Sequence, residues 1–422
     1  MTVSWSEPGI PDVTAFLGDA AASPLWIWDT RTGHLQQAWH GDHFSSYVCG
    51  ITPYDATHLG HARTYLTFDL MHRLARAAGL SVHYTQNVTD VDDPLLDRAA
   101  RTGRPWQQLA GEQTELFRQD MAYLGAIPPT TYQSVTEHLV PIARQVARLL
   151  TSGYAYLLPV GRDAADVYLD SGKAALSSEV WDALDLVPDS RAEARAEFAE
   201  HGGDPERPGK RHPLDALLWR GRREGEPWWR CDGLPDGRPG WHIECAVIAH
   251  DAHALPYDVQ GGGADLAFPH HAYSSAHAVA LYQHPIARVF SHVGLVSLNG
   301  AKMSKSLGNL VFVRSWRDRG IDPSAVRLAI FSHHYREAWE WKDGMLTAAA
   351  QRLLQWRRAA QRGGGSSRGS AIGRAYAIRF RDELHRDLNT AAAWAIADEW
   401  SREDDPGQGF PEVVDALTGV HI

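Results

Sequence analysis

Residues 44–66 read FSSYVCGITPYDATHLGHARTYL, and this stretch decides the fold. Its first eight residues are rich in aromatic and β-branched side chains and are soon followed by Pro53, which predicts a buried strand. A helical pattern runs from Gly60 to about Ala78, with leucines four residues apart on one face. SVHYTQNVT, from Ser81, returns to strand character. Strand, helix and strand in this order form a βαβ unit, which predicts a parallel sheet with a right-handed crossover.

Outward from this unit, hydrophobic patterns and turn residues divide the chain into five parts. We predict an α/β fold in which a parallel-sheet domain is interrupted by an insertion and followed by a small helical bundle. The parts are an N-terminal arm (1–43), the first half of the sheet domain (44–158), the insertion (159–240), the second half (241–345) and the C-terminal helical domain (346–422).

Further elements follow from the same patterns. Helices are predicted at 94–125, 134–152 and 270–282, strands at 257–260 and 288–298, and a flexible Gly/Ser linker at 362–370, RGGGSSRGS.

Charge and cysteine content exclude several classes of protein. The 422 residues carry 41 Lys and Arg against 51 Asp and Glu, a net charge of −10, which argues against a nucleic-acid backbone as the main partner. Apolar runs stay short of the ~18 residues of a membrane span, and the first 25 residues lack a basic region typical of secretory signals. Three cysteines cannot build a disulfide framework and suit a reducing compartment. We therefore expect a cytoplasmic monomer without membrane contact.

The first candidate chemical motif lies where the first strand turns into the helix. His58 and His61 flank Gly60 at the predicted helix start, where free backbone N–H groups and the helix dipole attract phosphate. The imidazoles could donate to oxygens that gain charge during phosphoryl chemistry. An ordinary pair of helix-start histidines is the alternative.

The second motif lies on a loop after the last predicted strand. NGAKMSKSLGN (299–309) places Lys302 and Lys305 three residues apart between glycines, where they could close over a triphosphate and neutralise pyrophosphate. A solvated surface loop is the alternative for a run of Lys and Ser.

Taken together, HLGH (58–61) and KMSKS (302–306) resemble the paired signatures of class I aminoacyl-tRNA synthetases. The resemblance implies a doubly wound, Rossmann-like sheet that holds ATP, accompanied by Mg²⁺, between the two motifs. It also implies attack of an amino-acid carboxylate on the α-phosphorus, with His58, His61, Lys302 and Lys305 as the catalytic residues. Catalysis would then consist of positioning and electrostatic stabilisation.

The sequence around these motifs is similar to that of cysteinyl-tRNA synthetase. The similar stretches are YVCGITPYDATHLGHARTY, QNVTDVDD, GWHIEC, GGGADLAFPHH and AKMSKSLGN. In that family Cys49, Cys245 and His270 would match ligands of a zinc ion that binds the substrate thiol. Such an ion prefers a thiolate to a hydroxyl, which separates cysteine from serine better than shape does. From the residues alone, Cys49 and Cys245 could equally be small buried hydrophobes.

Two departures turn the resemblance away from a true synthetase. Ser274 stands where the synthetase has a further glutamate ligand, and only about 77 residues follow Met345, which is little for anticodon recognition. The chain resembles more closely the cysteine ligases of mycothiol biosynthesis, through HGGDPERPGK (201–210), LDALLWR (214–220) and HYRE (334–337). This resemblance implies transfer of cysteine to the amine of 1-O-glucosaminyl-myo-inositol, with small-molecule substrates and no tRNA. Two residues depart from that family. Ala272 stands where relatives carry an acidic residue, and Arg63 is the residue typical of the synthetase.

The resemblance also suggests a set of residues around ATP and the cysteinyl-adenylate. They are Cys49, Gly50, Ile51, Thr52, Thr64, Asn87, Val88, Thr89, Trp241, Gly263, Ala264, Asp265 and Val296. On sequence alone, Trp241 could be a core aromatic and Asp265 a turn residue.

Three other functions remain open at this stage. They are a ligase that makes another cysteine amide, a truncated cysteinyl-tRNA synthetase, and a binding or regulatory protein that has lost catalysis. The intact His58, His61, Lys302 and Lys305 argue against the last, since binding alone does not need all four.

Overall fold

A computed structural model of the chain describes residues 2–18, 23–55, 57–162, 164–176, 190–298, 300–303, 310–363 and 367–422. The strands are β1 Trp26–Asp29, β2 His34–Gln37, β3 His43–Ile51, β4 Ser81–Val88, β5 Thr131–Ser134, β6 Ala155–Val160, β7 Ala164–Leu169, β8 Leu217–Gly221, β9 Gly237–Pro239, β10 Tyr257–Gly263, β11 Ala287–Val293, β12 Val296–Leu298, β13 Ala301–Lys302 and β14 Trp339–Glu340.

The α-helices of these ranges are α1 Thr14–Leu17, α2 Leu59–Ala77, α3 Asp93–Thr102, α4 Trp106–Tyr123, α5 Leu139–Thr151, α6 Ser171–Leu176, α7 Arg191–Glu200, α8 Trp241–Ala252, α9 Ala272–Tyr282, α10 Val313–Arg317, α11 Pro323–Ile330, α12 Gly344–Arg362, α13 Ser367–Leu384, α14 Thr390–Trp400 and α15 Phe410–Thr418. Within the described ranges, the helices are too short or too polar to cross a membrane.

A five-stranded parallel sheet forms the centre of the protein, with strand order β11-β10-β3-β4-β5. The chain builds outward from β3 through α2 to β4 and β5, and later returns to the other side of β3 with β10 and β11. This reversal leaves a crevice at the carboxyl ends of β3 and β10, where doubly wound sheets bind ligands. The predicted βαβ unit and the doubly wound α/β fold are confirmed.

Two local predictions need correction, and one strand was not predicted. The helix predicted at 94–125 is two helices, α3 and α4, because Gly103 ends α3 with a φ of +64° and Pro105 precedes α4. Strand β5 has four residues, TYQS, which is too short and polar for its pattern to show. The predicted linker is also shorter than 362–370, since α12 reaches Arg362 and α13 begins at Ser367; residues 364–366 lie outside the described part.

Besides the two-stranded antiparallel sheet of β1 and β2, two smaller sheets flank the central one. An antiparallel sheet with the order β6-β7-β8-β9 carries most of the predicted insertion, and its first strand begins at Ala155, a few residues before the predicted boundary. The other sheet joins β12 to β13 and β14, beside the carboxyl end of β11. Because β9 leads through Gly240 directly into α8, the insertion lies at the same edge of the central sheet as the crevice.

A buried ion cluster ties α2 to α11. Asp69 and Arg73 of α2 and Arg327 of α11 are each 2 % exposed or less, and Asp69 pairs with both guanidinium groups. The Ile127 backbone N–H also donates to Asp69 Oδ1, at 2.8 Å. Burial alone would raise the pKa of Asp69, but the charges of Arg73 and Arg327 and these hydrogen bonds lower it to about 2. Its carboxylate therefore stabilises the fold most above the unfolded-state pKa of about 4.

Asp69→Asn should lower the free energy of unfolding by about 3–5 kcal/mol, because Arg73 and Arg327 would remain buried without a counter-charge. In the unchanged protein, the contribution of Asp69 should fall away as the pH drops from about 4 towards 2. Urea titrations at neutral pH measure the first effect. Glu399→Gln, at a half-exposed ion pair with Arg379, is the control and should cost no more than about 1 kcal/mol. Equal losses for the two variants would contradict the prediction.

Candidate active site

A cavity of about 850 Å³ opens at the carboxyl edge of the central sheet. One wall comes from the ends of β3, β10 and β11 and from the start of α2, and the other comes from the insertion and α8. The site residues predicted from sequence that line it are Cys49, Gly50, Ile51, Thr52, His58, His61, Thr64, Trp241, Gly263, Asp265 and Val296. Residues from five separate segments therefore meet at the crevice that the sheet topology creates.

The turn after β3 depends on a close approach to β4. The Gly50 backbone N–H donates to Asn87 Oδ1 at 2.8 Å, and a Cβ at Gly50 would lie 1.5 Å from the Asn87 carbonyl oxygen. Asn87 Nδ2 in turn donates to Thr89 Oγ1 at 3.0 Å. Asn87, Val88 and Thr89 are buried behind this wall, so their contacts hold the Gly50 turn in place. Ala264 lies at the rim, in a neighbouring depression that also includes Glu197.

The two histidines of the first motif meet at the N-terminus of α2. His58 caps the helix, with Nδ1 accepting from the Gly60 backbone N–H at 3.1 Å. Its ring stacks on that of His61 with the centroids 3.8 Å apart. Because Nδ1 accepts, the hydrogen of a neutral His58 ring is on Nε2, where it can be donated. An imidazole donor and the positive end of a helix dipole therefore face the cavity together, which suits an anion.

The lysines of the second motif are described only in part. The Lys302 backbone forms β13, paired with Ser297 of β12, and Met303 lines the cavity. Lys305 lies outside the described residues. The structure thus brings the start of the second motif to the same cavity as the first.

Cys49 of β3, which lines the cavity, lies close to Cys245 of α8 and to His270 in the turn before α9. Their ligand atoms all lie within 4.8 Å of one another, with 4.0 Å between the two Sγ atoms and 3.3 Å between Cys245 Sγ and His270 Nε2. A tetrahedral zinc ion, with bonds of about 2.3 Å to sulfur and 2.0 Å to nitrogen, holds such donors roughly 3.8 and 3.5 Å apart. The donor set and its spacing therefore fit zinc.

The two thiols of this cluster differ in acidity. Burial raises the pKa of the Cys49 thiol well above its ordinary value. The hydrogen bond from Cys49, together with nearby His270, lowers the pKa of Cys245 well below its ordinary value. The pair thus favours one thiolate before any ion binds, and a thiolate is the form that binds metals.

The surroundings of His270 explain two sequence features. Trp241 stacks on the His270 ring, with centroids 4.2 Å apart, and lines the cavity beside it. The Ser274 hydroxyl, where the synthetase would have glutamate, donates to the backbone carbonyl of His270 at 2.9 Å. Ser274 is therefore a hydrogen-bonded residue inside α9, and the three-residue donor set does not include it.

Arg63, the other departure from the ligase family, is a structural residue here. Its guanidinium group is 1 % exposed and donates to the backbone carbonyls of His334 and Glu337 at 2.7 Å. Burial lowers its pKa to about 9. Arg63 therefore anchors the segment 334–337.

Sequence reasoning did not assign the wall that the insertion contributes. Its lining residues include His201, Gly202, Gly203, Arg220 and Arg238. From the sequence, only the HGGDP motif (201–205) had indicated that this part of the insertion is functional. Next to Arg238 of this wall, Asp92 caps α3 by accepting from the Asp93 backbone N–H, and burial raises its pKa to about 6. The sequence had also given no signal for Gln260 and His271, which both contact Cys49 Sγ.

Comparisons with known proteins agree with this geometry. The class I (C) tRNA synthetase catalytic domain matches residues 35–351. A Mycobacterium tuberculosis methionyl-tRNA synthetase in complex with methionyl-adenylate superimposes with a TM-score of 0.63 at 15 % identity, over 90 % of this chain and 88 % of that one. An Agrobacterium radiobacter leucyl-tRNA synthetase superimposes with a TM-score of 0.61 at 12 % identity, over 90 % of this chain and 83 % of that one. These structures establish the fold.

Relatives of much higher identity share a single name, L-cysteine:1D-myo-inositol 2-amino-2-deoxy-alpha-D-glucopyranoside ligase. The Micrococcus luteus ligase is 47 % identical over 99 % of both chains. The Kocuria rhizophila ligase is 48 % identical over 94 % of this chain and 92 % of its own. With a synthetase catalytic domain, a cavity between its two motifs and this identity over almost its full length, the chain belongs to the L-cysteine:1D-myo-inositol 2-amino-2-deoxy-alpha-D-glucopyranoside ligase family.

Proposed function

We propose that the protein activates L-cysteine with ATP as cysteinyl-adenylate and transfers it to the amine of 1-O-glucosaminyl-myo-inositol, a step of mycothiol biosynthesis. The observation that carries this proposal is that Cys49, which clusters with Cys245 and His270, lines the same cavity as His58 and His61. A thiol-selecting donor set and an anion-binding helix start are the two parts that cysteine adenylation needs.

In the first half-reaction, a carboxylate oxygen of cysteine attacks the α-phosphorus of Mg²⁺-bound ATP. One P–O bond forms, and the bond to the β-phosphate breaks, which releases pyrophosphate. The N-terminus of α2 and the His58 imidazole stabilise the charge that develops on the phosphates. We assign Lys302 and Lys305 to the departing pyrophosphate.

Cysteine is selected next to Cys49, which lines the cavity. Cys49, Cys245 and His270 would hold zinc, which when bound supplies a strong preference for a thiolate over a hydroxyl. Trp241, stacked on His270, lines the same cavity as Cys49.

In the second half-reaction, the unprotonated amine of the sugar attacks the carbonyl carbon of the adenylate. A C–N bond forms, the bond to AMP breaks, and the amine loses a proton. Asp92 lines the cavity, and burial raises the pKa of its carboxyl to about 6, which suits a proton acceptor near neutral pH. The wall of the insertion, with Gly202 and Gly203, faces the same space.

Purified protein with ATP and cysteine should form an amide with glucosaminyl-inositol and leave tRNA uncharged. The small size of the C-terminal helices and the net charge of −10 leave little surface for tRNA. Mass spectrometry of the sugar product and acid precipitation of charged tRNA measure the two outcomes. Accumulation of cysteinyl-tRNA with unmodified sugar would favour a synthetase, and cysteine-dependent pyrophosphate exchange without either product would point to another amine.

A further inference from the structure

Cys49 is contacted by two buried polar side chains outside the metal-ligand cluster. Gln260 Nε2 lies 3.4 Å and His271 Nε2 lies 3.2 Å from Cys49 Sγ. Gln260 is 1 % exposed and His271 is fully buried. Because buried polar groups cost free energy when they lack partners, the hydrogen bonds of these two side chains must be satisfied inside the protein.

The contacts continue outward to the N-terminal arm. His271 Nδ1 lies 2.8 Å from His292 Nε2 on β11, and His292 Nδ1 lies 2.8 Å from the Thr30 hydroxyl. Thr30 follows β1, and its backbone N–H donates to the Phe290 carbonyl at 2.8 Å, which fixes its position against β11. We call Thr30, His292, His271 and Gln260 the Thr30 chain; it connects the arm to a ligand of the metal cluster.

The direction of each hydrogen bond in the Thr30 chain follows from the hydrogen bond between Tyr257 and Gln260. The Tyr257 hydroxyl donates to Gln260 Oε1, so the amide nitrogen faces Cys49 and His271, 3.1 Å from His271 Nε2. One amide hydrogen is then donated to Cys49 Sγ and the other to His271 Nε2. The His271 hydrogen is consequently on Nδ1 and is donated to His292 Nε2, and His292 Nδ1 donates to Thr30.

Each imidazole then carries one hydrogen, because His271 Nε2 accepts from Gln260 and His292 Nε2 accepts from His271. Burial lowers the pKa of His292 to about 4, so its ring carries a single hydrogen near neutral pH. Without the Thr30 oxygen, the His292 Nδ1 hydrogen would lose its acceptor. If that hydrogen moved to His292 Nε2, it would point at the hydrogen on His271 Nδ1. The His271 hydrogen would then have to move to its own Nε2, where it would face the Gln260 amide.

We propose that Thr30, His292 and His271 are positioning residues that keep the Gln260 amide donating to Cys49 Sγ, and thereby strengthen metal binding at Cys49, Cys245 and His270. A hydrogen bond donated to the sulfur stabilises the thiolate that the metal requires. The inference rests on the proposed metal centre and adds to it a role for the N-terminal arm.

The zinc affinity of the full chain, measured by competition with a chromophoric chelator, tests the proposal. Thr30→Val removes the hydroxyl with little change in shape, and Gln260→Leu removes the amide. Both should weaken zinc binding by roughly 10- to 100-fold. Thr30→Ser keeps the hydroxyl and should bind zinc with wild-type affinity. Thr131→Val is the matched control, because that hydroxyl lies 3.1 Å from His83 Nε2 in a threonine–histidine contact outside the Thr30 chain; its affinity should be unchanged.

Cobalt(II) gives a second readout that a general loss of stability would not produce. The sulfur-to-cobalt charge-transfer band should shift in Thr30→Val and Gln260→Leu and remain in place in Thr30→Ser and Thr131→Val. Wild-type affinity and an unshifted band in both Thr30→Val and Gln260→Leu would overturn the proposal and leave the metal centre standing. A wild-type protein that binds no zinc would refute the metal centre itself, and this inference with it.

Discussion

Cys245→Ala should lose its bound zinc and its cysteine-dependent ATP–pyrophosphate exchange together. The substitution removes one of three donors. Cys49 and His270 alone cannot supply the three protein ligands of a zinc site that keeps its fourth position for the substrate. Any residual exchange in this variant should distinguish cysteine from serine by shape alone, by about 1–3 kcal/mol, or roughly 10- to 200-fold. Metal analysis and exchange assays with each amino acid measure the two effects.

Cys231→Ala is the matched control for this variant. Cys231 is the third free cysteine, is only half-buried and belongs to the insertion. Its substitution should leave both zinc content and cysteine exchange unchanged. Full zinc content in Cys245→Ala, or equal losses in the two variants, would refute the assigned donor set.

His58→Asn should lower the kcat of adenylation by roughly 100- to 1,000-fold, because it removes an imidazole donor from the developing phosphate charge. Asparagine is a good N-cap, so the cap on the Gly60 backbone N–H should survive. The free energy of unfolding should therefore change by no more than about 0.5 kcal/mol. Pyrophosphate exchange at saturating cysteine and urea titration separate catalysis from stability.

His58→Ala completes the comparison. It removes both the donor and the cap, so it should share the loss of kcat and also lose about 0.5–2 kcal/mol of stability. A normal kcat in His58→Asn, with a stability loss confined to His58→Ala, would reduce His58 to a helix cap.

Much of the fold was predictable because its signals are local. The leucine spacing after Gly60 and the apolar run before Pro53 depend on neighbours within one or two turns, and they correctly predicted α2, β3 and the parallel sheet. The wrong predictions have a local cause as well. Gly103 and Pro105 interrupt an otherwise continuous helical pattern, and TYQS is too short to register as a strand.

The site was predictable only in part. The two motifs follow recognisable strands, so their meeting at the carboxyl edge could be expected from the topology of a parallel sheet. Asn87 and Thr89 were suggested to lie around the cysteinyl-adenylate, and their hydrogen bonds hold the Gly50 turn that lines the cavity. The wall of the insertion carried little signal, because its lining residues are scattered glycines and charged side chains.

The sequence by itself determined the βαβ framework, the order of the two phosphate-handling motifs and the family resemblance, since all three depend on residues close together along the chain. Only the tertiary structure brought Cys49, Cys245 and His270 within 4.8 Å of one another and linked Cys49 to Thr30 through Gln260, His271 and His292. The physical reason is that these contacts depend on which strands are neighbours. When β10 pairs with β3 and with β11, segments about 200 residues apart come into contact, and no local pattern encodes that meeting.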